Sequence, residues 1–305
     1  ASTIPPPGQV RCLATERNYK GFHVNTQISA CRARYGSLVG MTQPLFIVDS
    51  STDDSPLNRD ALRSGWTMAL PDAVKRHAIQ SMRLHEGDAL QISDGAGLRI
   101  DATVADERAG TVLVESFTQE DAPTVRLALV QALAKNGHDE QAIDTATQIG
   151  VDDVFPWQSD RAIARYKAGR TDRKWAQTLR AATEQSRRAF MPALHDCMTS
   201  KQLLAQCRRA AVNGDVVIVL HQDATVGWSD VEQRVEALME RSLADGKTRT
   251  VYVVVGPEGG ISDQEIEALT SAGADVCILG ANILRASTAG PVALSLLSRT
   301  LGRFA

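Results

Sequence analysis

Short stretches in which apolar and polar residues alternate dominate the chain from about residue 45 to residue 117. Apolar side chains recur at every second position in 90–92, 98–104 and 112–114, with turn residues at Asp94-Gly95 and Gly110 between them. Such alternation, with turns at close spacing, is typical of half-buried β-strands. The pattern predicts a small β-barrel or sandwich over 41–122, interrupted by one helix at 72–82.

The pattern changes after residue 122, where apolar runs of strand length alternate with helical stretches. The runs lie at 125–132, 216–220, 251–255 and 276–279, and the helical stretches include 173–190 and 231–243. Nearly continuous apolar strands are typical of a sheet covered on both faces. We therefore expect a second domain of the α/β class over 123–305.

The first 40 residues contain Pro5-Pro6-Pro7-Gly8, and their apolar residues follow neither the alternating pattern of a strand nor the spacing of a helix. We interpret 1–40 as a non-core extension. It is either a translated upstream segment, which we favour, or a basic arm for RNA or targeting.

Cysteine usage and hydropathy indicate the compartment. The five cysteines are scattered and form no C-x-x-C pair, which favours reduced thiols in the cytoplasm over zinc binding or thiol exchange. An apolar run long enough to cross a bilayer is also missing from the sequence. We expect a cytoplasmic protein with neither a metal nor a membrane partner.

The net charge of −3 at first argues against a nucleic-acid partner. Because 1–40 holds five basic side chains and one acidic one, the other 28 basic and 35 acidic side chains leave the rest at −7. Residues 161–188 nevertheless carry nine basic side chains against Asp172 and Glu184. If Trp175 faces the core, Arg180, Arg187 and Arg188 are left for phosphates. The alternative is a solvated face with an i,i+4 pair between Glu184 and Arg188.

A glycine-rich turn, 256–260, follows the apolar run 251–255 and reads Gly-Pro-Glu-Gly-Gly. Ser262 and Glu265 then form an S-x-x-E capping box, and Gly273 lies where the helix should end. Glycines let backbone groups approach a ligand, and strand-end loops of α/β sheets are where ligands bind. Because G-K-[ST] is absent and Glu258 would repel a phosphate, the turn is not a P-loop. The alternative is a tight turn that binds nothing.

A second strand-end loop, 279–290, follows the run 276–279 and leads into the closing helix. Two such loops of one sheet could converge on one ligand. Ser287 or Thr288 could instead simply cap the helix, and Arg285 could pair with a surface carboxylate.

The two loops together resemble the ribosomal RNA small-subunit methyltransferase E family of the SPOUT superfamily. Its G-P-E-G-G is matched by 256–260, and its L-G-x-x-I-L-R-x-E-T-A by 279–289, except that Ser287 replaces the glutamate. The resemblance covers most of 45–300 and includes His77, 82–88 and 146–151, where Gln148 and Ile149 depart from the usual glutamate and leucine.

The resemblance implies a PUA-like β-barrel followed by a SPOUT α/β domain with a C-terminal trefoil knot, and a homodimer. It also implies methylation of ring nitrogen 3 of one uridine in small-subunit ribosomal RNA, free or in the assembled subunit, with S-adenosylmethionine as the methyl donor. Methyl transfer to that nitrogen needs positioning and stabilisation of the uracil anion.

Site residues are expected on these grounds in three groups. Arg285 and Arg161 are the catalytic candidates. The cofactor-binding candidates are Gly256, Glu258, Gly259, Gly260, Leu279, Gly280, Ile283, Leu284, Arg285 and Thr288. The RNA-binding candidates are His77, Arg83, Arg161, Arg187 and Arg188.

Three alternatives stay open at this point. A SPOUT enzyme that modifies another RNA, such as transfer RNA, is the nearest, and His77 with 82–88 favours the ribosomal reading over it. A catalytically silent RNA-binding protein of ribosome assembly is the second. A nucleotide-dependent oxidoreductase is the third, although the glycine turn lacks the G-x-G-x-x-G order.

Overall fold

The computed structural model describes residues 43–48, 57 and 59–304. These residues form two β-sheets. The predicted extension 1–40 lies outside the described residues. The first sheet has five strands in the order β1-β3-β4-β5-β2, all antiparallel neighbours except the parallel pair β1 and β3. They are β1 Leu45–Ile47, β2 Thr67–Ala69, β3 Ala89–Ser93, β4 Leu98–Asp106 and β5 Thr111–Gln119.

Alternating burial confirms the predicted strand pattern of this first domain. Along β4 every second residue from Leu98 to Val104 is buried, and these side chains pack with Val112 and Val114 of β5. The predicted helix 72–82 is present as α1, Asp72–Lys75, which continues as a wider π-helical stretch over Arg76–Ser81. The barrel thus places α1 against the same core.

The second sheet has eight strands, all parallel, in the order β11-β13-β10-β12-β6-β7-β8, with β9 also paired to β7. Its strands are β6 Val125–Ala132, β7 Asp153–Gln158, β8 Ala193–Leu194, β9 Met198–Thr199, β10 Val216–Leu220, β11 Val226–Gly227, β12 Arg249–Val255 and β13 Asp275–Ile278. The helices are α2 His138–Ile149, α3 Thr171–Ser186, α4 Ser200–Asn213, α5 Trp228–Asp245, α6 Asp263–Ser271 and α7 Ala286–Thr300.

Both faces of this sheet are covered, as the continuous apolar runs predicted. One buried cluster joins the sheet to α2, α3, α5 and α7 through residues such as Ile143, Trp175 and Leu294. The other joins it to α4 and α6 through residues such as Leu203 and Leu269. The α/β assignment is therefore confirmed, while the trefoil knot stays a prediction.

Helix α3 ends at Ser186, four residues earlier than predicted. Arg187 adopts a left-handed conformation with φ 55° and caps the helix. The chain then turns toward the first domain, where Ala189 accepts hydrogen bonds from Gly97 N and Ser93 Oγ, and Met191 N donates to Gly95 O. Contacts with the barrel, which local helical periodicity cannot reveal, therefore decide where α3 stops.

Helix α3 also contributes directly to this junction between the two sheets. Glu184 accepts a 3.1 Å hydrogen bond from Ile47 N, and Arg180 donates to Ile47 O. Gly97, at φ +99°, has no room for a side chain, because a Cβ would lie 2.6 Å from Phe190.

Among the described residues, no helix has the length and apolar character needed to cross a membrane.

Candidate functional site

A cleft of about 500 Å³ lies at the carboxyl ends of β10, β12 and β13. These three strands are neighbours in the sheet, so the loops that follow them meet at one edge, where α/β sheets bind ligands. The glycine turn 256–260 and the loop 279–286 both line this cleft. The expectation that the two loops converge is therefore confirmed.

Most of the predicted residues line the cleft together. They are Gly256, Glu258, Gly259, Gly260, Leu279, Gly280, Ile283, Leu284, Arg285 and Arg161. Thr288 is not among the lining residues; it lies exposed in the first turn of α7, while Ala286 and Ala289 of the same helix face the cleft. The structure therefore does not support a cofactor contact by Thr288.

Close packing within the turn 256–260 explains why glycine occupies several of its positions. A Cβ on Gly256 would lie 2.6 Å from Ile261 Cγ1, and one on Gly259 would lie 3.2 Å from the carbonyl oxygen of Arg161. Gly260 has φ +72°, which side chains rarely tolerate. At Gly256 and Gly259 the missing side chains thus make room for Ile261 and Arg161, and close approach of a ligand to these glycines stays a prediction.

The predicted capping box at the start of α6 is confirmed and extends further than expected. Ser262 Oγ accepts from Glu265 N, and Glu265 in turn accepts from Ser262 N. The buried Glu265 carboxylate also accepts from Asp160 N and Ser200 Oγ. Burial opposes ionisation of Glu265, but these hydrogen bonds together outweigh it and lower its pKa. Glu265 therefore holds the segment before Arg161 against the glycine turn. Gly273, at φ +96°, follows the end of α6 as predicted.

Glu258 attaches the glycine turn to the loop after β6, a fourth loop in addition to those after β10, β12 and β13 that form the cleft. Glu258 Oε1 accepts a 2.9 Å hydrogen bond from the backbone amide of Lys135, in the loop between β6 and α2. This contact brings His138, at the start of α2, into the lining of the cleft. One carboxylate oxygen of Glu258 is therefore occupied by the protein.

The loop after β13 leaves its backbone groups open. Within the described chain, residues 280–284 form no hydrogen bond, and a Cβ on Gly280 would have nothing within 4 Å. Arg285, with extended backbone, is the N-cap of α7, and its carbonyl accepts from Thr288 N and Ala289 N. The alternative in which Ser287 or Thr288 caps the helix is wrong, because Arg285 is the N-cap and Ser287 is a buried residue inside the first turn.

The two catalytic candidates lie on different loops of the cleft, Arg161 after β7 and Arg285 after β13, and are both exposed. Arg161 donates to Ile261 O at 3.2 Å, and its guanidinium lies 4.0 Å from Asp263. Arg285 forms no side-chain bond or ion pair with another described residue. One arginine is thus fixed beside the glycine turn, and the other is free at the helix start.

Sequence reasoning missed the loop after β10, which contributes His221, Gln222 and Asp223 to the cleft. Asp223 N donates to His221 Nδ1 at 3.3 Å, and His221 N donates to Cys277 O. The loop has no glycine motif. The only available signal was its place after an apolar run.

Arg188 is not available to RNA, which corrects its assignment as an RNA-binding residue. Its guanidinium donates to Thr147 O and Val151 O at 2.9 and 2.8 Å and lies 3.8 Å from the buried carboxylate of Asp152. Burial lowers its pKa to about 10. The alternative, an i,i+4 pair between Arg188 and Glu184, is also wrong, because Glu184 pairs with Arg180 at 3.4 Å.

The remaining RNA candidates lie away from the cleft lining. The His77 ring meets Phe46 edge-on and lies 3.7 Å from Glu184 at the junction of the two sheets. Arg83 is exposed at φ 59°. Arg187 is half-buried, and its carbonyl accepts from Arg99. RNA binding by these three side chains stays a prediction.

Comparisons with known proteins agree with this architecture. A family model described as an RNA methyltransferase domain matches residues 120–298, and one described as an RNA methyltransferase PUA domain matches residues 70–115. The ribosomal RNA small subunit methyltransferase E of Mycobacterium bovis is 34% identical over 72% of this chain and 80% of its own length. The Bacillus subtilis protein of the same name is 24% identical over 79% of this chain and 93% of its own.

Solved structures share the fold. A ribosomal RNA small subunit methyltransferase E from Neisseria gonorrhoeae, bound to S-adenosyl methionine, superposes with a TM-score of 0.68 at 21% identity, covering 85% of this chain and 98% of that one. A predicted RNA methyltransferase from Thermotoga maritima superposes with a TM-score of 0.57 at 21% identity, covering 86% of this chain and 100% of that one.

In the part of this chain that the structure describes, no cluster of three or more metal-binding side chains occurs.

Proposed function

The chain belongs to the ribosomal RNA small subunit methyltransferase E family, and on that premise we propose that it transfers a methyl group from S-adenosylmethionine to ring nitrogen 3 of a uridine in small-subunit ribosomal RNA. The observation that carries the proposal is the meeting of the glycine turn 256–260 and the loop 279–286 in one cleft. Since ribosomal RNA is the substrate, we place the protein in the cytoplasm. From its family membership we propose that it is a homodimer.

The cleft fits the methyl donor in size and in chemistry. Its volume of about 500 Å³ lies within the range of small-molecule sites. Residues 280–283 are exposed, and the backbone groups of 280–284 have no partner within the described chain, so they are open to hydrogen bonds with a ligand. Gly280 leaves room for a ligand to approach them. We expect this loop, with Leu279, Ile283 and Leu284, to hold the adenine end and Glu258 to hold the ribose hydroxyls.

S-adenosylmethionine, when bound, supplies an electrophilic methyl carbon on a sulfonium. The residues of the chain then have to bring uracil nitrogen 3 in line and favour its deprotonated form. Arg285 can do this at the start of α7, where the helix dipole adds positive potential. Arg161, which donates to Ile261 O beside the glycine turn, lines the same cleft. Two cations near the uracil carbonyls stabilise the anion and leave water to take the proton.

Transfer of labelled methyl from S-adenosylmethionine to unmodified small ribosomal subunits, followed by nucleoside analysis, tests the proposal. We expect label in 3-methyluridine alone. Label in another base, or in transfer RNA in preference to the subunit, would contradict the substrate. Heat of S-adenosylmethionine binding without any transfer would instead contradict the assignment as an enzyme.

Arg285→Gln should lower kcat on the order of 100-fold, because one donor to the developing anion is lost. The matched control is Arg299→Gln, which removes an exposed arginine from the far end of the same helix. Equal rates in the two variants would remove Arg285 from the mechanism.

A further inference from the structure

A second hollow, of about 200 Å³, lies beside the cleft at the carboxyl ends of β6 and β7. Its walls come from the loop after β6, which ends at Gly137, from the first turn of α2, which includes Glu140, and from the segment 164–175. We call it the basic pocket, because four cationic side chains line it. They are Arg165, Lys167, Arg170 and Lys174.

Three of these four cations have no anionic partner among the residues that the structure describes. Lys174 pairs with Glu140 at 2.6 Å, whereas Arg165, Lys167 and Arg170 form no ion pair within the described chain. The other acidic wall residue, Asp139, is buried, and burial raises its pKa. The pocket therefore carries an excess of positive charge in a chain whose net charge is −3. Clustered, unpaired cations attract an anionic ligand.

The backbone around these cations is ordered by its own hydrogen bonds. Thr171 N donates to Lys167 O at 2.8 Å, and Lys167 N donates to Thr171 Oγ1 at 3.1 Å. Gly169 N donates to Asp172 at 2.8 Å at the start of α3. Lys167 and Arg170 thus project from an ordered turn, which reduces the backbone entropy lost when they bind a ligand.

The basic pocket and the cleft share two loops. His138 lines the cleft, while its neighbours Gly137 and Asp139 line the basic pocket. Arg161 lines the cleft, and Arg165, four residues further on, lines the basic pocket. A ligand that crosses the edge of the sheet from one to the other would therefore stay in contact with the same segments.

We propose that the basic pocket binds backbone phosphates of the RNA next to the target nucleotide, through Arg165, Lys167, Arg170 and Lys174. This inference rests on the proposed function. The exposed cations suit an extended polyanion lying across the rim of the pocket, and phosphate contacts fix the register of a nucleic acid on a protein. The pocket supplies the phosphate contacts that the sequence had assigned to Arg188, whose guanidinium instead donates to backbone carbonyls of the protein.

The test compares two triple variants of equal charge change. One is Arg165→Gln, Lys167→Gln and Arg170→Gln. The control is Lys201→Gln, Arg208→Gln and Arg241→Gln, which removes two exposed arginines and one exposed lysine from α4 and α5. Affinity for unmodified small-subunit RNA is measured against salt concentration, together with S-adenosylmethionine binding by calorimetry.

We expect the pocket variant to bind RNA at least about 10-fold more weakly, and its salt slope to fall by roughly 2, because each phosphate contact to a single strand contributes ~0.7. The control should retain the wild-type slope, and both should bind S-adenosylmethionine normally. An unchanged slope in the pocket variant, or an equal loss in the control, would overturn the proposal.

A gain of affinity is expected from Glu140→Gln, which frees Lys174 and removes one negative charge from the pocket. Tighter RNA binding by several-fold cannot result from misfolding, and binding that is unchanged or weaker counts against the pocket. The proposed function fails separately: a wild-type protein that binds RNA through the pocket but transfers no methyl group would disprove the reaction and leave the phosphate site standing.

Discussion

Glu258 Oε1 accepts the backbone amide hydrogen of Lys135 at 2.9 Å, which ties the loop after β12 to the loop after β6. The two strands are neighbours in the sheet, so this hydrogen bond closes one wall of the cleft. It also links the cleft to the segment that continues into the basic pocket.

Glu258→Ala should weaken S-adenosylmethionine binding by roughly 10-fold or more, because a hydrogen bond to a charged group contributes about 1.5–3 kcal/mol. Calorimetric titration measures the effect. The control Glu267→Gln removes an exposed carboxylate of α6, and binding that is equally reduced there would show that Glu258 has no special role.

Gly280 and Gly256 should respond to substitution in opposite ways. Gly280→Val places a side chain in open space at the cleft, so it should abolish most cofactor binding while the melting temperature stays near that of the wild type. Gly256→Ala would place Cβ 2.6 Å from Ile261 and should lower stability by about 1–3 kcal/mol. Thermal melts paired with calorimetry measure both, and a Gly280→Val variant that binds normally would show that the loop does not touch the ligand.

Glu265→Gln should destabilise the protein by about 1–3 kcal/mol, since a buried hydrogen-bonded acceptor is replaced by a group that also donates. The pKa of Glu265 is lowered in the folded state, so its stabilisation is complete above the ordinary value of 4.5 and is lost as pH falls through the folded pKa. Denaturant midpoints of the two proteins should therefore approach each other on acidification. A constant gap down to strongly acidic pH would contradict the role given to the charged form.

Arg188→Ala should cost about 3–5 kcal/mol, because it leaves the buried Asp152 carboxylate with one cation fewer. Urea unfolding measures the loss. Arg187→Ala, one residue earlier and half-buried, is the control and should cost less than 1 kcal/mol. If Arg188→Ala instead unfolds like the wild type but binds RNA poorly, the assignment of Arg188 to the fold is wrong.

The sequence was most informative where local pattern and burial agree. The strands 125–132 and 216–220 appear with the predicted bounds, because a strand covered on both faces needs an unbroken apolar run. The capping box at Ser262 was equally accessible, since its two partners are three residues apart.

Long-range contacts account for what the sequence did not predict. Helix α3 stops at Ser186 because residues 187–191 pair with the 93–97 turn, almost a hundred residues away in the chain. Arg188 looked available because its partners, Thr147, Val151 and Asp152, lie outside the helical stretch predicted over 173–190. His221 was missed because neither its loop nor its neighbours carry a motif.

The strand order has a consequence for how the chain is made. Strand β12 lies between β6 and β10, although it follows both in the sequence. A nascent polypeptide that has been synthesised only as far as residue 248 would leave the facing edges of β6 and β10 without partners, and unpaired apolar strand edges promote aggregation. We expect the second domain to reach its native state only after almost its entire length has left the exit tunnel, and C-terminal truncation to yield insoluble protein.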